Sequence, residues 1–182
     1  MKCPVCKTAE LSPVNLDAHL PAGACPKCGG KWLSSVRYYE WLQHRGPPRG
    51  EKPYEGPPLE ITDAQEAKLC PECGRILVRY SVGHGTDCTL DNCGTCNGVW
   101  FDTNEWEALK ARNLHDAVHL IFTKPWQTEV RKEERRKHLE KIYERHFGQD
   151  YPEIKRIRLW LEKHPERDRI VAFFNDADPF SP

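Results

Sequence analysis

The sequence predicts an α+β protein built from two small β-rich modules followed by a helical C-terminal region, and three observations carry that expectation. Apolar residues make up only 38% of the 182 and charged residues 30%, with a mean hydropathy of −0.73. That is too little apolar side chain for one large, self-sufficient core. The cysteines, nine in all, fall mostly into pairs of the form Cys-x2-Cys. From about Asn104 onward, apolar residues recur at helical spacing. Part of the folding energy must therefore come from the cysteines.

The pairs are Cys3/Cys6, Cys25/Cys28, Cys70/Cys73 and Cys93/Cys96, with Cys88 left over. Within each half the two pairs stand nearly the same distance apart. A Cys-x2-Cys turn offers two thiolates to one tetrahedral ion, and two such turns on neighbouring loops complete a four-cysteine site. Two zinc ions are expected, one held by Cys3, Cys6, Cys25 and Cys28 and one by Cys70, Cys73, Cys93 and Cys96. Iron is the rival metal for four thiolates. Disulfides would need an oxidising compartment, to which nothing points. The expected fold is thus α+β and zinc-stabilised: two zinc ribbons, each a β-hairpin plus a short helix, then a helical C-terminal region.

The halves repeat beyond their ligands. Cys25-Pro26-Lys27-Cys28-Gly29-Gly30-Lys31-Trp32 aligns with Cys93-Gly94-Thr95-Cys96-Asn97-Gly98-Val99-Trp100. Gly30 and Gly98 are expected to supply a positive φ in the metal turn, and Trp32 and Trp100 to cover the site of their own ribbon. In the first ribbon (1–43) Leu11, Val14 and Leu16 are strand residues. In the second (68–112) Ile76 to Val82 and Thr86 to Leu90 form a hairpin about Gly83-His84-Gly85. A helix follows each tryptophan, the first capped by Ser34, the second by a capping box over Asp102 to Glu105. Residues 44–67 read as a flexible Pro/Gly linker that leaves the ribbons as separate modules, with a short helix over Ile61 to Leu69 capped by Thr62 or Asp63. In 113–182, breaks are expected near Lys124-Pro125, Gly148 to Pro152 and His164-Pro165. Ile154, Ile157, Trp160 and Leu161, with Ile170, Val171, Phe173 and Phe174, are expected to pack the helices together.

Both repeats resemble the transcription factor IIB-type zinc ribbon, whose pattern runs Cys-Pro-x-Cys, a hairpin, then Cys-Pro-x-Cys-Gly-Gly-x-Trp-Leu-Asp before a Glu-containing helix. The first copy keeps Trp32-Leu33 but has Ser34 and Arg37 in place of acids. The second has Gly94 and Asn97 in place of Pro and Gly, and keeps Trp100, Asp102 and Glu105. The resemblance implies the fold and the metal, and implies transcription by analogy.

Functionally, the first expectation is a non-catalytic adaptor in the cytoplasm that docks on nucleic acid or on a nucleic-acid machine such as RNA polymerase. Lysine plus arginine equals aspartate plus glutamate at 27 each, so no global basic charge announces a nucleic-acid binder. Local excess exists in the first ribbon, however, where Lys27, Lys31 and Arg37 are candidate phosphate contacts beside Arg75 and Arg79 of the second. The tract from Arg131 to Arg145 adds Arg131, Arg135 and Arg136. The hairpin tips, Ala18 to Ala22 and Gly83 to Thr86, are the expected points of contact. The alternatives are a protein-interaction scaffold that oligomerises through the helical tail, and a redox- or zinc-responsive regulator using Cys88, whose simplest role is that of a buried strand residue. No catalytic motif stands out and no apolar run approaches the ~18 residues of a membrane span, so neither an enzyme, a small-molecule substrate nor a membrane partner is expected.

Overall fold

The computed structural model describes residues 1–47, 49–54, 56, 60–61, 64 and 66–180. The chain divides into two compact units, residues 1–133 and 134–182.

In the first unit, β1 (Ser12–Asp17) and β2 (Leu20–Ala24) form one hairpin, and β4 (Leu77–Gly83) and β5 (Thr86–Cys93) the other. Each hairpin has an irregular register just before its tip, between Asn15 and Asp17 and between Ser81 and Gly83. Short strands β3 (Lys31–Leu33) and β6 (Val99–Phe101) follow the second knuckle of each ribbon. They pair with each other, antiparallel, with Trp32 opposite Trp100. The result is one six-stranded sheet in the order β1-β2-β3-β6-β5-β4, in which the ribbons are related by an approximate two-fold about the Trp32–Trp100 pair. The expectation of two separate modules is therefore corrected.

The physical reason lies in the short strands. Trp32, Leu33, Val99, Trp100 and Phe101 are all buried, and a hairpin covers only one edge of such a strand. Each strand completes its pairing with its counterpart. Helices α1 (Ser35–His44) and α2 (Glu105–Ala111), with the single-turn α3 (Val118–Ile121), complete the main core. It takes Leu20 and Leu33 from the first ribbon, Leu90 and Phe101 from the second, and Trp41 and Trp106 from the two helices. A second cluster joins the cysteine ligands to Trp32 and Trp100.

The linker is not a free tether. Asn113 Nδ2 donates to Gly50 O, Lys52 N to Arg112 O and Asn104 Nδ2 to Glu60 O. Asp116 accepts from Arg49 N and pairs with Arg45. The described residues between Ile61 and Leu69 form no helix, and Leu69 bridges to Ile76 instead. The caps proposed there, Thr62 and Asp63, lie outside the described residues, as do Pro48, Pro57 and Pro58.

Helix α4 (Lys124–Phe147) starts at the expected Lys124-Pro125 break and runs across the division between the units. In the second unit, a 3-10 turn (Gly148–Asp150) leads into α5 (Tyr151–Glu162), and α6 (Arg167–Asn175) follows the His164-Pro165 turn. These breaks fall where expected, but the packing does not. No described side chain of residues 134–180 is buried, and Trp160, Phe173 and Phe174 are 52%, 49% and 64% exposed.

Candidate metal centres

All four knuckles close in the same way. The N–H of the residue after the second cysteine donates to the carbonyl of the first: Lys7 to Cys3, Gly29 to Cys25, Gly74 to Cys70 and Asn97 to Cys93, at 2.8–3.0 Å. Those four residues carry the left-handed backbone, with φ of 61°, 70°, 69° and 57°. Gly and Asn are the residues that adopt it most readily. Gly30 and Gly98, expected to do this, do not.

The turns bring four Sγ atoms within 4.8 Å of one another in each ribbon. Sulfurs at ~2.3 Å from a tetrahedral ion lie about 3.8 Å apart. The observed approaches are 3.6 Å for Cys3–Cys28 and 3.8 Å for Cys6–Cys25, then 3.6 Å for Cys70–Cys96 and 3.4 Å for Cys73–Cys93. A disulfide at ~2.0 Å is a different geometry, whereas a zinc ion fits both groups. Burial pushes the Cys25 thiol up, but the N–H groups of Cys28 and Lys27 outweigh it and bring the pKa down to about 7. Cys93 is likewise brought to about 7 by the N–H groups of Cys96 and Thr95. The thiolate is favoured at these two positions only, because burial pushes the thiols of Cys28 and Cys96, in the same turns, up. Four thiolates fill a tetrahedral shell and make each site a structural one.

Each site is completed by the other ribbon. A Cβ added at Gly30 would clash with the edge of the Trp100 ring, 2.1 Å from Cζ2, and one at Gly98 with the edge of the Trp32 ring, 2.2 Å from Cζ2. The glycines are there to admit an indole, and each tryptophan covers the partner ribbon's knuckle rather than its own. The hydroxyls repeat the exchange: Ser35 Oγ donates to Cys96 O at 2.7 Å and Thr103 Oγ1 to Cys28 O at 2.5 Å.

Behind the second site lies a buried charge network that sequence reasoning missed. Lys68 Nζ, 2% exposed, pairs with Asp91 Oδ2 and with Asp102 Oδ2. Burial opposes its charge, but hydrogen bonds to Asp102 and Asp91 prevail and raise its pKa. Asp102 also accepts from Trp100 Nε1 at 2.7 Å and from Ala64 N at 2.9 Å. Its carboxylate is thereby taken away from helix α2, so only half of the expected capping box forms, with Glu105 Oε2 accepting from Asp102 N at 2.7 Å. Ser34 is the N-cap of α1 by position but makes no side-chain cap.

The candidate contact residues separate. Lys27 and Arg37 are exposed on the first ribbon, and Arg131, Arg135 and Arg136 on α4. Lys31 is bound to Glu107 of α2, and Arg79 lies against Asp91 and donates to Ala64 O. The tip of the second hairpin is partly covered, with Gly85 left exposed. His84 stacks on Trp126 with ring centroids 4.4 Å apart, and Arg112 donates to the carbonyls of His84 and Gly85. Trp126 Nε1 also donates to Val82 O at 2.9 Å. On the first hairpin Ala18 and His19 are exposed, while Leu20 and Ala22 are core. Cys88 is buried on β5 within the main core and belongs to neither sulfur group.

A hairpin framed by two knuckles, with four thiols in tetrahedral reach, defines a zinc ribbon, and this chain has two. The family described as transcription factor zinc-finger, the TFIIB-type zinc ribbon, matches residues 2–44 and 69–112, so the chain carries two tandem copies of that domain. No curated protein and no solved structure matches it.

Proposed function

We propose that this protein acts by binding and not by catalysis: a zinc-folded adaptor that docks on nucleic acid, or on a nucleic-acid machine such as RNA polymerase. The observation that carries this reading is the electrostatic asymmetry of the joined ribbons. The first keeps Lys2, Lys27 and Arg37 exposed, with Lys7 beside Glu66, whereas the second keeps Arg75 exposed and turns Lys68 and Arg79 onto carboxylates. A phosphate backbone therefore meets the first ribbon, and the shared sheet holds that surface in one geometry. Metal shells filled by four thiolates support a non-catalytic role. Eight thiolate ligands also need a reducing compartment, which favours the cytoplasm, and among the described residues no helix is long and apolar enough to cross a membrane.

The test is fluorescence anisotropy of the zinc-loaded protein against duplex DNA, single-stranded DNA and RNA at about 50 and 200 mM salt. Sub-micromolar binding that weakens about 10- to 1000-fold across that range is the expected result for a few phosphate contacts. Charge reversal at Lys27 and Arg37 should abolish most of it. Binding left unchanged by the reversal would sink the assignment to the first ribbon.

A second reading, an oligomerising scaffold, rests on residues 134–180. Leu159, Trp160, Phe173 and Phe174 are about half exposed there or more, a large apolar surface for a protein that works alone. Light scattering across a concentration series checks it, and a monomer at every concentration would rule it out.

A further inference from the structure

The union of the two ribbons creates a cavity that neither has alone. It measures about 210 Å³, the liquid volume of about seven waters, enough for one planar ring system. The first ribbon contributes Tyr38 and Tyr39 from α1, the second contributes Asn92 and Asn97, and the segment after it His119 and Phe122. We propose that this cavity takes a single unpaired nucleobase. The proposal rests on the nucleic-acid reading above and names the subsite within it.

Three features point to that ligand class. Among the described residues, no Lys, Arg, Asp or Glu side chain lines the cavity. Burial lowers the pKa of His119 and so favours its uncharged form. Next, the walls are aromatic and fixed. The Tyr38 hydroxyl donates to His115 O and accepts from Val118 N, and its ring lies 5.9 Å from that of His119. Tyr39, 48% exposed, also sits 5.9 Å from His119 and presents a ring at the surface. Bases stack on such rings regardless of sequence.

Last, the polar groups include two carboxamides, which match the paired donor and acceptor of a base edge, beside the Ser35 and Thr123 hydroxyls, which donate to Cys96 O and Leu120 O. Asn92 Nδ2 donates to Gly98 O at 3.3 Å, which fixes the orientation of its amide. Asn97 occupies a left-handed position that its counterpart Gly29 fills without a side chain. A residue the turn does not require thus adds a hydrogen-bonding group to the cavity wall.

The experiment compares zinc-loaded wild type, Tyr39→Ala and Asn97→Gly against single-stranded oligonucleotides and abasic oligonucleotides of equal length, by anisotropy. Tyr39 is exposed and glycine suits the Asn97 backbone, so both variants should retain two zinc ions, checked by native mass spectrometry. The wild type should prefer the base-bearing strand about tenfold or more. Each variant should reduce that preference several-fold while leaving abasic binding and its salt dependence unchanged. Equal binding of base-bearing and abasic strands would overturn the base site and leave the nucleic-acid reading standing. A preference that survives both substitutions would also overturn it. No binding to either strand would overturn both, and leave a peptide side chain as the occupant to pursue.

Discussion

The two ribbons share one metal geometry and differ in what stands behind it. In the second, Trp100 donates to Asp102, and Asp102 with Asp91 encloses Lys68. The corresponding positions of the first hold Ser34, Gly23 and Met1, Gly23 facing Trp32 across the strands as Asp91 faces Trp100. Lacking an acid of its own there, Trp32 donates to Glu72 of the other ribbon at 3.1 Å. The second ribbon anchors its tryptophan from within, and the first anchors its tryptophan from outside. Near-identical folds can therefore depend on each other unequally.

The largest expected effect tests that inequality at the metal. A structural zinc site supplies roughly 10–16 kcal/mol of apparent binding energy, as much as the whole stability of an ordinary domain. Cys93→Ser should lower bound zinc well below one ion per chain, because the first ribbon loses both a strand partner and the anchor of Trp32. Cys25→Ser should leave close to one ion, held by the second ribbon. Native mass spectrometry reads both stoichiometries, and equal losses would break the comparison.

Next in size is Lys68→Ala. It leaves two carboxylates, 8% and 6% exposed, with their central cation gone, and removing one partner of a buried ion pair costs about 3–5 kcal/mol. Urea unfolding followed by tryptophan fluorescence should show a much lower midpoint with little change in slope. Linkage has a definite sign as well. The Lys68 pKa is raised on folding above its usual 10.5, so its contribution is complete below that pH and fades as alkali titrates the folded-state group. Lys68→Ala should lose that alkaline component.

The ligands were legible in the sequence because a metal imposes their spacing: Cys-x2-Cys is a tight turn that serves one ion with two sulfurs. The hairpins and the breaks at Pro125, Pro152 and Pro165 were legible for the same kind of reason, a local rule at a named residue. What escaped was everything set by contacts between distant segments. Lys31–Leu33 and Val99–Phe101 are too short to display a period of two, so their pairing carried no pattern. A signal was nonetheless present, since large apolar residues crowd both strands and a hairpin partner covers only one edge. The linker's prolines announced extended chain but not the surface it lies on. Lys68 looked like an ordinary charge and Asp102 like a helix cap, because a buried pair leaves no periodicity when its members come from a loop and a strand end.

Smaller effects sharpen the symmetric part of the comparison. Gly30→Ala and Gly98→Ala each push a methyl into an indole of the other ribbon. Overpacking of this kind costs about 1–3 kcal/mol, and thermal melts should show nearly equal losses. Gly74→Ala is the control: its Cβ meets nothing, and only the left-handed backbone penalises it, by about 1–2 kcal/mol. If Gly30 and Gly98 differed strongly, the tryptophan exchange would not be the reason for both.

The finest test concerns the two exchanged hydroxyls. Ser35→Ala and Thr103→Val remove one hydrogen bond each, for about 0.5–1.5 kcal/mol, without emptying much volume. The bonds are equivalent under the approximate two-fold, yet their settings are not. Ser35 opens helix α1, where alanine is the better helix former and returns up to about 0.5 kcal/mol. Thr103 also packs against the Gly29 turn, its Oγ1 lying 3.2 Å from where a Cβ would sit, and valine keeps that bulk without the donor. The Thr103 variant should therefore cost more. The loss should be felt in the first ribbon, whose Cys28 carbonyl it leaves without that donor. Amide hydrogen exchange at the knuckle around Cys28 is the readout: faster exchange there, with the Cys96 knuckle unchanged, follows from reciprocal support. Uniform acceleration across both knuckles would mean that the shared sheet, and not the exchanged hydroxyls, holds the metal turns.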